Sequence, residues 1–155
     1  LDVLVTEIVR SVRAVWPEVP IVVKPKVSVD RKRLTQLLAA IADPHLIVSD
    51  APVALLAPRA ICGITAGHTT GQFEFVAAND VPWIEHCRYS AFWSSLYPQK
   101  TYTTRYGGVW TETSDALIHA LTDVRDGRAP EGAACLRRLS GFTDRTISCD
   151  DFLRV

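Results

Sequence analysis

A chain of 155 residues with 48% apolar and 22% charged side chains has the makeup of one globular domain, not of a disordered tail. Seventeen Lys and Arg face seventeen Asp and Glu, so no basic excess marks a nucleic-acid footprint, and membrane contact is at most peripheral. No apolar run approaches the ~20 residues that a bilayer span requires.

The chain contains no methionine, and its first residues already follow a helical apolar spacing (Leu1, Leu4, Val5, Ile8, Val9, Val12). Residues 1–155 are therefore expected to form a single domain cut from a longer polypeptide; a processed or tagged chain is the plainer alternative. The opening helix is predicted to stop at Trp16-Pro17. Pro20 to Val23 predicts a short strand, buried in the parallel manner because it does not alternate. Asp30 is placed to cap a helix reaching about Ala42, with Leu34, Leu37, Leu38 and Ile41 on one face. A second strand is expected over His45 to Val48, then a short helix from Pro52 to about Ala57. Ala60 to Ile64 predicts the third strand, Gly71 to Ala78 a helix, and Val81 to Ile84 the fourth strand.

Arg88 to Tyr97 is rich in aromatics and reads as helical, Lys100 to Tyr106 as a short extended piece before the Gly107-Gly108 turn. Thr113-Ser114-Asp115 caps a helix through Val124, and one or two short helices close the chain. Strands alternating with helices predict an α/β fold: a Rossmann-like three-layer α/β/α arrangement around a parallel sheet of about four to five strands.

Ligands of such sheets sit beyond the carboxyl ends of the strands. That rule selects Lys24 and Lys26 after the first strand, Ser49 and Asp50 after the second, the loop from Thr65 to Thr70 after the third, and Glu85, His86 and Arg88 after the fourth. Gly67 allows close backbone approach, while His68, Thr69 and Thr70 supply donors for a phosphate at the start of the next helix. Glu74 in that helix's first turn suits a ribose or sugar diol, and Glu85 and His86 are candidates for the same contacts. Each has a structural alternative: a capped helix, a solvated lysine pair, a carboxylate favoured by the helix dipole. The cysteines Cys62, Cys87, Cys135 and Cys149 form no C-x-x-C pair, so no metal site is expected, and reduced thiols suit a cytoplasmic setting. No nucleophile elbow, Walker loop or dinucleotide fingerprint is present, leaving the catalytic residues unknown and no cofactor implied.

The order IVVKPK, then SDAP, then CGITAGHTTGQFEFVAANDVPWIEH, then a Gly-Gly and TSDALIHAL resembles the C-terminal half of GT-B glycosyltransferases over about residues 18–127. The likeness is closest to the type that builds bacterial capsules and surface polysaccharides. In that comparison Thr69-Thr70 match a Ser/Thr pair, Glu74 a helix glutamate, and Asn79 to Ile84 the following strand with its entering turn. The resemblance implies a half-enzyme that binds a CMP-, UDP- or GDP-linked sugar. The glycan acceptor and the catalytic base would belong with an N-terminal lobe. Its product would be a capsular polysaccharide or lipopolysaccharide. The lysines would suit a CMP-linked acidic sugar. One departure stands out: Lys26 occupies a position where related transferases carry histidine, so no histidine role transfers there. A non-catalytic nucleotide-binding scaffold and a sugar-nucleotide epimerase lobe are the alternatives of the same architecture.

Overall fold

In the computed structural model of the protein, the described residues are 2–67, 75, 81–89 and 108–130. The expected helix over 71–78 apart from Phe75, the segments at 90–107 and 131–155, and Cys135 and Cys149 lie outside them.

Helix α1 (Asp2–Val15) turns Val9, Val12 and Val15 inward at helical spacing. Arg13 holds its exit. The guanidinium grips both oxygens of Asp43, at 2.5 and 3.1 Å, and donates to the Trp16 and Val19 carbonyls. The Trp16 carbonyl at the helix end thereby gains a partner, and the bond to Val19 leads the chain into β1 (Ile21–Val23). Asp30 caps α2 (Arg31–Ile41) by accepting from the Arg33 N–H, as its sequence position predicts. After β2 (Leu46–Val48) comes the one-turn α3 (Val53–Leu56), continued as a 3₁₀ turn over Ala57–Arg59. Strands β3 (Gly63–Thr65), β4 (Trp83–His86) and β5 (Val109–Thr111) follow, and α4 (Ser114–Arg125) is capped by the Thr113 hydroxyl.

The fold is α/β, and every strand pairing is parallel. The sheet differs from the sequence expectation. Instead of one ladder of four to five strands, the described residues form a two-stranded sheet, β1-β2, and a three-stranded one, β3-β4-β5. The strands are three or four residues long, so each pairing has little length over which to extend. The two sheets nonetheless share a core. Ile21 of β1 and Ile64 of β3 both pack against the cluster of Val12, Val15, Ile84, Leu117, Ala120 and Leu121.

Burial also departs from expectation in β1-β2. Val22 and its register partner Ile47 are 44% and 49% exposed, and Val48 is 51% exposed. The expected fully buried parallel strand is instead open on the Val22–Ile47 side, because no described helix covers that face. By contrast all four residues of β4 are buried. Gly63 serves the packing of its neighbour: a Cβ there would stand 2.9 Å from the Phe75 ring, so the bare backbone lets that ring lie on β3. Among the described residues no helix is long and apolar enough to cross a membrane.

Candidate functional site

Parallel pairing puts the carboxyl ends of β3, β4 and β5 side by side, and those of β1 and β2 likewise. At the end of β1, Pro25 is buried while Lys24 and Lys26 are exposed. Among the described residues neither lysine has a carboxylate partner. At the end of β2, Ser49 accepts from the Ala51 N–H, and Asp50 is engaged by Arg31. That pairing leaves the lysines as the uncompensated charges of the β1-β2 end.

At the end of β3 the Thr65 hydroxyl is buried and, among the described residues, has no hydrogen-bond partner. Gly67 lies at φ +92°, a conformation that favours glycine, and a side chain there would come within 3.7 Å of the Cys87 sulfur. The turn after β3 therefore leans on the segment after β4. His68, Thr69, Thr70 and Glu74, the core of the expected phosphate loop, lie outside the described residues.

Glu85 and His86 are not where the sequence puts them. The apolar run ends at Ile84, but β4 continues to His86, and both side chains are fully enclosed. The strand continues through two polar residues because partners from elsewhere satisfy them. The Tyr89 hydroxyl donates to Glu85 in a short hydrogen bond. His86 lies 2.9 Å from the Thr111 hydroxyl through Nδ1 and 3.4 Å from the Glu7 carboxylate through Nε2. A carboxylate only accepts, so Nε2 carries the hydrogen, and in the neutral ring Nδ1 accepts from Thr111. The array is hydroxyl, imidazole, carboxylate, in an order familiar from nucleophilic enzymes. Thr111 is only 4% exposed and His86 is enclosed, so the array braces α1 against the strand ends and offers no hydroxyl to a reactant.

Glu7 does double duty on α1. Its other oxygen accepts from Arg88 Nη2 at 2.6 Å. Arg88, and secondarily His86, hold the Glu7 carboxyl below its ordinary value. Arg88 Nε donates in turn to the Glu112 carbonyl beyond β5. The Trp110 indole donates to the Cys87 carbonyl, and its ring lies 6.2 Å from that of Tyr89 at a 44° tilt. Burial pushes the Cys87 thiol up, reinforced by the charges of Glu85 and Glu112, and burial alone pushes Cys62 up to about 12. Both are protonated at neutral pH and poor nucleophiles.

Sequence spacing selects residues at the strand ends but ends β4 at Ile84 and does not foresee Glu7, Thr111 or the fixed geometry of Arg88. One signal was available: Glu7 and Ser11, four apart, share the helix side that carries Leu4, Ile8, Val12 and Val15. A half-open cleft of 510 Å³ between α1 and α2, over Val9, Leu37 and Ile41, is lined by none of the strand-end residues. Among the described residues no group of three His, Cys, Asp or Glu side chains gathers as a metal ion would require. The chain matches no family model, no curated protein and no solved structure.

Proposed function

We propose that this chain is the donor-binding half of a glycosyltransferase that extends a bacterial surface polysaccharide or lipopolysaccharide from a nucleotide-linked sugar. On this reading the two sheets are parts of one Rossmann-like architecture, working in the cytoplasm beside an N-terminal lobe that carries the acceptor and the base. The observation that carries the proposal is the chemistry at the strand ends. Exposed Lys24 and Lys26 follow β1, and the Thr65 hydroxyl, unpartnered among the described residues, and the positive-φ Gly67 follow β3. Parallel α/β proteins place their ligands at that edge of the sheet. Two uncompensated lysines favour a phosphate or an acidic sugar as the group received there.

Lys24, Lys26, Gly67, His68, Thr69 and Thr70 are the proposed phosphate contacts, and Glu74 the hydroxyl contact. The enclosure of Glu85 and His86 moves their part in this proposal from touching ribose to supporting the site from beneath. The same enclosure favours, as a second reading, a scaffold domain that has kept the fold without the sugar contacts.

Thermal-shift titration with CMP, UDP, GDP and their sugars tests the proposal, because a ligand of the folded state raises its apparent stability. Binding of one nucleotide, weakened when Lys24 and Lys26 are both changed to Ala, is the expected result. A folded sample that responds to no nucleotide overturns it in favour of the scaffold reading.

A further inference from the structure

The ends of β3, β4 and β5 carry one cation among the described residues, Arg88, and it is held in a fixed pose from two sides. Nε is tied at 3.0 Å to the Glu112 carbonyl, and Nη2 at 2.6 Å to Glu7 on α1. A guanidinium has five N–H donors, and these bonds use two. Three remain, all belonging to the terminal nitrogens, on a side chain that is 51% exposed. An arginine without such ties keeps the rotamer freedom of a surface side chain. Arg88 has already given up that freedom, and a ligand anion meets a planar fork set in place. The carboxylates around it are largely occupied: Glu7 is shared between Arg88 and His86, and Glu85 is bonded by Tyr89. Gly67 of the turn after β3 lies against Cys87, the residue before Arg88.

We propose that Arg88 is an anion-contacting residue of the strand-end site, that its ligand group is a phosphate or diphosphate, and that Glu7 is the residue that positions it. The nucleotide identity of that ligand rests on the donor-site reading; the phosphate contact rests on the local geometry alone.

The test is isothermal titration of the full chain with inorganic pyrophosphate and, separately, with CMP, UDP and GDP. Loss of one charge-assisted hydrogen-bonding partner is expected to weaken pyrophosphate binding about ten- to a hundredfold in Arg88→Gln. Glu7→Gln keeps an oxygen that accepts from Arg88 and sheds a negative charge, so it should bind pyrophosphate as well as the unaltered chain or better. Glu7→Leu releases the guanidinium and should bind more weakly. A purely structural role for Glu7 would not separate these two variants in affinity once both are shown folded by their melting curves. Arg88→Lys retains a cation without the fork and carries the same comparison if Arg88→Gln fails to fold. If Arg88→Gln lowers the melting temperature but leaves affinity unchanged, Arg88 is a latch and the inference is overturned, while the donor reading stands. Pyrophosphate binding that depends on Arg88, with no nucleotide bound, supports the inference and removes the donor reading. A folded chain that binds neither ligand overturns both.

Discussion

Replacing His86 by Leu separates a structural imidazole from a ligand-binding one. Leu is close in volume to the ring, so the cavity term is small and the cost comes from hydrogen bonds. Thr111, 4% exposed, loses its partner in a place water does not readily reach. An orphaned buried hydroxyl costs about 1–3 kcal/mol. The second bond, 3.4 Å from Nε2 to Glu7, is long, and Glu7 keeps Arg88, so its loss adds at most about 0.5–1 kcal/mol. The sum is about 1–4 kcal/mol, or a fall in Tm of roughly 3–15 °C for a chain of this size. Thermal melting followed by circular dichroism reads this directly. The double variant His86→Leu, Thr111→Val removes both partners and should recover about 1–2 kcal/mol of the loss, since an apolar pair in place of a bonded pair can be nearly neutral. A single variant that melts within about 1 °C of the unaltered chain refutes the brace. So does a double variant whose cost is the sum of the two singles. A nucleotide affinity that falls tenfold while the melting temperature holds would instead return His86 to the ligand.

Glu7 and Cys62 give two further tests. The Glu7 carboxyl is depressed, first by Arg88 and then by His86, from an ordinary value of 4.5. Its contribution to stability is therefore complete above that value and lost as pH falls through the lower, folded-state one. The stability gap between the unaltered chain and Glu7→Gln, measured by urea denaturation from pH 7 to pH 3, should narrow toward the acid end; a constant gap contradicts the assignment. The Cys62 thiol is raised to about 12 by burial, although the residue as a whole keeps some accessible surface. Iodoacetamide at pH 8 should leave the Cys62 peptide unmodified until denaturant is added, as mass mapping will show, and rapid native labelling would mean that the thiol is not enclosed.

The features that were legible in the sequence are those whose causes are local. Asp30 and Thr113 each bond an N–H three residues on, so the caps of α2 and α4 follow from neighbouring residues alone. Pro17 ends α1 for an equally local reason, and the parallel α/β character follows from the alternation of short apolar runs with helices. What was illegible depends on distant partners. The end of β4 was placed two residues early because Glu85 and His86 look like a strand's polar exit. The groups that satisfy His86 lie 25 and 79 residues away, at Thr111 and Glu7. β5 escaped because Val109–Thr111 is too short for a periodicity to show, and its strand character comes from the ladder with β4. The β1-β2 face failed differently: an apolar run reports that a strand wants cover, not whether cover is supplied. For the candidate site, spacing located the end of β1 with its exposed lysines and the end of β3 near Ile64. The Glu7–Arg88 link, 81 residues apart, had no local trace beyond a carboxylate on a helix's apolar side.

The packing of α1 on α4 bears on how the chain is made. Val12 and Val15 find Leu117, Ala120 and Leu121 only after roughly one hundred further residues have emerged, about 5–20 s at ordinary synthesis rates. Throughout that interval the apolar stripe of α1 lacks the α4 side of its cover, and Glu7 waits for His86 and Arg88. A chaperone that recognises short apolar helices would find its target in α1 as soon as that helix emerges. Release would then coincide with the arrival of α4. The same closure makes the fold rich in contacts between residues far apart in sequence, so its refolding should be slow for a chain with so much helix.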